Sequence, residues 1–140
     1  MKKYLILILL FIAVSCIPTL ETLPNKGERY PGKLPSKVVY TIDLVHFWRS
    51  SFYIYMEINV DNVLYKLGLN KKTYNVEWIV SYDSSLIING YKKGDKWRGE
   101  VREMSRPGPY TAPRFGKIKG SDWYVLLSYN DPPTIVAFYK

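Results

Sequence analysis

The sequence predicts an all-β domain, an antiparallel sandwich or small barrel of about eight short strands. From residue 38 onward, apolar and polar side chains alternate with a period of two, which is typical of strands with one buried face. Turn sequences rich in Asp, Asn, Gly and Pro separate the alternating stretches. The chain also contains 13 Tyr and 4 Trp, and aromatic residues favour strands.

The first half of the predicted domain contains four strands. Residues 38–45 alternate first, and residues 52–60 form the clearest strand in the chain. Asp61-Asn62 makes a turn, and residues 63–69 return to complete a hairpin, although the leucines of this stretch also fit one helical turn. Residues 76–82 alternate next, before the turn at residues 83–85.

The second half repeats this pattern less regularly. An apolar stretch at 86–91 is followed by a charged turn at 92–96 and a half-exposed strand at 97–102. Residues 123–129 alternate again, residues 130–133 form a strong turn, and residues 134–139 make the last strand. Because such short strands at close spacing are typical of sandwiches and barrels, residues 38–140 are expected to form a single β domain.

The N-terminus has the layout of a secretory signal peptide. Lys2 and Lys3 precede eleven apolar residues, and small residues end the run. The run is shorter than the roughly 20 residues that a membrane-spanning helix needs. Residues 1–15 are therefore expected to be removed on export.

The end of this signal resembles a lipobox. Ala13-Val14-Ser15-Cys16 is similar to the motif at which bacterial lipoprotein signal peptides are cut before a cysteine that receives lipid. The resemblance implies lipidation at Cys16 and attachment to a bacterial membrane. Cys16 is the only cysteine, so the chain has no internal disulfide. Ile17 stands where an Asp would resemble an inner-membrane retention signal, which favours the periplasmic face of the outer membrane in a host that has one.

Residues 16–37 are expected to tether the lipid to the domain, because four prolines and two glycines interrupt any regular element. Alternatively, the second half of this segment packs along the domain as an irregular strand. Without residues 1–15 the net charge of +8 becomes +6, since Lys2 and Lys3 are lost. A basic exported protein suits an anionic envelope component or a protein partner, whereas nucleic acid is an improbable ligand outside the cytoplasm.

Positive charge is concentrated in residues 92–119, which contain nine basic and three acidic residues. Within this segment, residues 106–114 hold three prolines and a glycine between two arginines, which indicates a stiffened loop. Arg and Tyr often dominate binding energy at interfaces. The candidate partner-binding residues are Arg106, Tyr110 and Arg114 of this loop, with Arg98 and Arg102 on the preceding strand. The alternative is a solvated connection whose charges maintain solubility.

Catalytic chemistry is hard to assemble from this composition. His46 is the only histidine, no nucleophile motif is present, and lipidation would remove the only thiol. The Asp and Asn clusters at 61–62 and 83–85 lack the spacing of a calcium loop and suit turns better. We therefore expect no catalytic, metal or cofactor site.

The leading hypothesis is a membrane-anchored binding module of the cell envelope, for example an immunity or exclusion lipoprotein that neutralises an incoming toxin or phage component. A lipocalin-like carrier of an apolar ligand is the first alternative, and it requires an apolar cavity of a few hundred Å³ or more. A carboxylate-dependent envelope hydrolase is the second, and it requires two carboxylates within about 10 Å in one cleft.

Overall fold

The computed structural model describes residues 17–42, 52–103 and 113–140, and every regular element within them is a strand. The all-β prediction is confirmed. The strands of the described ranges are β1 (Thr19–Leu20), β2 (Val39–Ile42), β3 (Phe52–Val60), β4 (Val63–Leu69), β5 (Val76–Ser81), β6 (Ile87–Ile88), β7 (Tyr91–Lys92), β8 (Arg102–Glu103), β9 (Arg114–Lys117), β10 (Tyr124–Leu127) and β11 (Ile135–Tyr139). Nine of them form one sheet in the order β1-β3-β4-β5-β11-β10-β9-β8, with β2 also paired to β3, and β6 and β7 form a separate hairpin.

Side chains from both halves of the large sheet meet on one face. Tyr65 on β4 and Trp123 beside β10 come from strands three positions apart in the sheet order, and their ring centroids are 6.4 Å apart. Buried residues of β3, β4, β10 and β11 also belong to a single core cluster. This arrangement is consistent with a β-sandwich, and we refer to the face that carries the cluster as the concave side.

The concave side of this sheet holds the main core. Alternate residues of β3, such as Ile54, Met56 and Ile58, are buried there. They pack in one cluster with side chains from both halves, including Leu67 and Phe138, which are fully buried. Burial of each such side chain stabilises the fold by about 1.5–3 kcal/mol. An apolar ligand of the kind that a lipocalin-like carrier binds would have to occupy the space that this cluster fills.

A second, aromatic cluster lies on the convex side. Trp78 and Tyr139 are buried there with Val80 and Ala137, and several tyrosines pack against them. Trp78 fits because the opposing residue, Gly68, has no side chain: a Cβ on Gly68 would lie 2.1 Å from Trp78 Cε2. The side chains on the convex side are therefore also closely packed.

The segment at residues 17–37, expected as a tether, is attached to the sheet. β1 pairs in parallel with β3, and Pro18 accepts a hydrogen bond from the Asn59 N–H at 2.9 Å. Further on, the Gly27 N–H donates to Val76 at 2.7 Å, and Tyr30 is only 4% exposed. Residues within 17–37 therefore pack against the sheet, from Pro18 onward.

Two other elements differ from the sequence expectations. Of residues 97–102, only Arg102 lies in a strand. The Trp97 indole N–H donates to the carbonyl of Glu100 at 3.1 Å, so this stretch folds back on itself locally. Conversely, β9 was not predicted, and it pairs with β10 over all four of its residues. Residues 43–51, which include His46 and the end of the strand expected at 38–45, lie outside the described residues.

The alternative of a helical turn at residues 63–69 is wrong. β4 pairs with β3 in antiparallel register from Val63, opposite Val60, to Leu69, opposite Ile54. Asp61 and Asn62 both have positive φ, 50° and 63°, which is the backbone conformation of a tight two-residue hairpin turn. The predicted hairpin at residues 52–69 is thus confirmed.

Candidate functional site

A basic cleft of about 680 Å³ brings together two of the predicted binding residues, Arg98 and Arg102. Lys117 and Lys119 also line it, from β9 and the turn after it, and Glu100 is the only acidic residue among its described lining residues. Of the other predicted positions, Cys16, Arg106 and Tyr110 lie outside the described residues.

Trp97 forms the rigid floor of this basic cleft. Its side chain is 4% exposed and donates its indole N–H to Glu100. The ring lies directly on the backbone of Gly116 in β9, where an added Cβ would be 2.6 Å from three of its atoms. The indole is held by Glu100 on one side and by Gly116 on the other. The backbone that leads from Trp97 to Arg98 is therefore fixed in position.

The β6–β7 hairpin forms one wall. Its turn residues Asn89 and Gly90 have φ values of 49° and 84°, as a two-residue turn of this kind requires. The Asn89 side-chain amide donates to the carbonyl of Lys119 at 3.1 Å and ties the hairpin to the opposite wall. Tyr91 of the hairpin lies against Trp97, with ring centroids 5.2 Å apart.

The cations around the cleft are accessible to solvent. Arg102 is 56% exposed, and its Nε lies 3.5 Å from a Glu100 carboxylate oxygen, an exposed ion pair that contributes little to stability. Lys117 lies 5.8 Å from the ring centroid of Tyr124, on the convex side of the sheet. Four cations and one anion around one depression produce a positive potential that attracts anions. Within the part of the chain that the structure describes, Arg98, Lys117 and Lys119 form no ion pair, so they can pair with a partner.

Arg114, predicted as one end of a recognition loop, has internal contacts. Its guanidinium donates to the carbonyls of Ser128 at 3.2 Å and Asn130 at 3.5 Å, and its Nε lies 3.6 Å from Glu103. The side chain is 20% exposed. These contacts join β9 to the turn between β10 and β11, so the structure gives Arg114 a structural role and leaves its role in binding a prediction.

A larger cleft of about 930 Å³ adjoins the convex aromatic cluster and shares Arg102 with the basic cleft. Phe115, Tyr124 and Tyr139 line it, and neighbouring centroids are 6.0 and 6.5 Å apart. It also contains two carboxylates, Glu77 and Asp122.

Local charge density along the chain points to Arg98 and Arg102 but does not single out Lys117 and Lys119. Both lysines belong to the same basic segment, and the alternation of Lys117, Ile118 and Lys119 was the available signal. Within the described ranges there is no group of three or more His, Cys, Asp or Glu side chains that could hold a metal ion.

No helix among the described residues is long and apolar enough to cross a bilayer. No protein-family model matches the chain, and neither curated protein sequences nor solved structures give a match.

Proposed function

We propose that this chain is a membrane-anchored binding module of the bacterial cell envelope, and that its basic cleft binds an acidic segment of a protein partner. The observation that carries the proposal is the arrangement of Arg98, Arg102, Lys117 and Lys119 around a rigid aromatic floor. Arg beside aromatic side chains is a combination that often dominates protein interfaces. An incoming toxin or phage component neutralised at the cell surface would be one such partner.

The anchor in this proposal is lipid on Cys16, at the periplasmic face of the outer membrane where the host has one. The signal peptide and the lipobox-like residues before Cys16 support it. Cells that express the full chain should incorporate a palmitate analogue into the wild type and not into Cys16→Ala. Equal labelling of the two proteins would refute the anchor.

Binding at the basic cleft can be tested with a fluorescent oligoglutamate peptide as the probe, using fluorescence anisotropy and the purified full chain. Two exposed charge contacts are worth about 1 kcal/mol each in water at close range. We therefore expect Arg98→Gln/Lys119→Gln to weaken binding about tenfold or more at low salt. Lys33→Gln/Lys72→Gln, which changes the net charge equally at exposed sites elsewhere, should leave the affinity within about twofold.

The comparison between the two double variants shows whether the basic cleft is the binding site. If both weaken binding equally, the peptide responds to overall charge, and the cleft is not the site. If neither does, the proposal of an acidic ligand is wrong. Binding through the cleft should also weaken as salt rises, because exposed charges are screened beyond about 8 Å at physiological ionic strength.

One observation favours a second candidate function, a carboxylate-dependent envelope hydrolase. Glu77 and Asp122 line the same cleft, beside three aromatic rings that could support a polymer. The Glu77 carboxylate accepts a hydrogen bond from the Asn70 side chain at 3.2 Å, which fixes its orientation. Release of soluble sugar from isolated cell-wall polymer, abolished by Glu77→Gln and by Asp122→Asn, would establish this activity in place of simple binding.

A further inference from the structure

We propose that the domain lies directly on an anionic lipid surface through an apolar patch at β2. The patch consists of Val38, Val39, Tyr40, Ile42 and Phe52. This contact would be a second membrane attachment, in addition to the lipid anchor proposed above. It rests on that anchor, because the anchor determines which side of the domain meets the bilayer.

The patch is unusual in how exposed it is. Its members are between 37% and 56% exposed, and they account for five of the nine exposed large hydrophobic residues in the described ranges. Val39, Tyr40 and Ile42 lie on β2, which pairs with β3, and Val38 directly precedes this strand. Because side chains alternate along a strand, Tyr40 and Ile42 share one face with Phe52, which is paired with Ile42, and Val39 lies on the other face of the same strand. Scattered exposed apolar side chains need no explanation, but a contiguous group marks an interaction surface.

Positive charge accompanies the apolar side chains. Lys71 Nζ lies 5.9 Å from the ring centroid of Tyr40 and 5.8 Å from that of Phe52, and Lys37 directly precedes the patch. Residues 37–56 contain one acidic residue, Asp43, and two basic residues, Lys37 and Arg49. Apolar and aromatic side chains beside lysines suit the boundary between anionic headgroups and acyl chains, where the rings insert and the ammonium groups contact phosphate.

The position of β1 places the same side of the domain near the anchor. β1 and β2 both pair with the edge of β3 that faces away from β4, β1 at Asn59 and Val60 and β2 at residues 52–55. Thr19 is three residues from Cys16, so the chain between them spans at most about 11 Å. A lipid on Cys16 would therefore hold this edge close to the bilayer, with β2 about 15–20 Å farther along it.

The test uses site-directed fluorescence on the full lipidated chain in vesicles. Because Cys16 is the only native cysteine and would be blocked by lipid, a cysteine introduced by Tyr40→Cys can carry an environment-sensitive dye. Ile87→Cys, at a residue that is 64% exposed on the β6–β7 hairpin, is the matched control. The vesicles contain phosphatidylcholine and phosphatidylglycerol, with brominated acyl chains as the quencher.

We expect quenching of the dye at position 40 to exceed that at position 87 at least threefold, and Phe52→Ser to reduce this excess. Equal quenching at the two positions would overturn the proposal. The proposal would also be overturned if, in detergent without vesicles, the chain formed dimers and the dye at position 40 were protected from solvent. A second copy of the chain would then occupy the edge of β2. A dye that also reacts at Cys16 would instead show that the lipid anchor is absent, which separates that failure from failure of the patch.

Discussion

Gly116 lies under the indole of Trp97, and its replacement by Ala tests how tightly the floor of the basic cleft is packed. An added Cβ would be 2.6 Å from Cε2, Cζ2 and Nε1 of Trp97, whereas non-bonded carbon atoms are normally about 3.5–4.0 Å apart. The ring must therefore move by about 1 Å. Such overpacking costs about 1–3 kcal/mol, and loss of the Trp97–Glu100 hydrogen bond adds about 0.5–1.5 kcal/mol.

We expect Gly116→Ala to lower the free energy of unfolding by about 2–4 kcal/mol, measured by urea denaturation followed by circular dichroism. The cause can be isolated with Trp97→Leu, which removes the three clashing atoms. In that background Gly116→Ala should cost less than about 1 kcal/mol, which gives a large coupling energy between the two sites. An equal cost in both backgrounds would refute the packing argument.

Gly90→Ala is the control for backbone strain alone. Gly90 has a φ of 84°, and no atom lies within 4 Å of its added Cβ. The expected loss is about 1–2 kcal/mol, from the left-handed conformation only, and Trp97→Leu should not change it.

Three other changes test individual polar groups. Tyr30→Phe should leave the melting temperature unchanged or raise it, because the Tyr30 hydroxyl is buried without a hydrogen-bond partner among the described residues. Tyr55→Phe should instead destabilise the fold by about 1–3 kcal/mol, because the Tyr55 hydroxyl donates to Glu57 at 2.5 Å; equal melting temperatures for the two variants would contradict this reasoning. The Ser85 hydroxyl and two backbone N–H groups lower the pKa of Asp83 below its usual value, so the stability that Asp83 contributes is present above its unfolded-state pKa and lost as pH falls through the lower folded-state pKa. Acid titration of stability should therefore be shallower below about pH 4 for Asp83→Asn than for the wild type, and identical acid limbs would exclude this role.

Features that depend on neighbouring residues could be predicted from the sequence, and features that depend on distant residues could not. The alternation in residues 52–60 predicted β3 because each buried side chain of that strand is two positions from the next. β1 could not be predicted in the same way, since two residues have no period and their pairing depends on Asn59 and Val60, far along the chain. Residues 97–101 alternate like a strand, but Trp97 packs on Gly116 from another strand and bends the chain locally.

The same distinction applies to the candidate site. Charge density along the chain identified Arg98 and Arg102, whereas their placement beside Lys117 requires the register of β8 against β9, in which Arg102 lies opposite Phe115. The cleft formed by Glu77 and Asp122 was not predicted either. Glu77 lies on β5 and Asp122 in the turn before β10, and no pattern in the sequence relates them.

The place of β11 in the sheet determines when, during synthesis of the chain, the domain can complete its fold. β11 is the last strand in chain order, but it lies in the interior of the sheet, between β5 and β10. A chain emerging from the ribosome can form the β3-β4-β5 meander early, because these contacts are local. The two halves of the sheet can join only after residues 135–139 have been synthesised, since Phe138 and Tyr139 pair with Ser81 and Val80. Until then the nascent chain lacks the strand that joins β5 to β10 in the interior of the sheet.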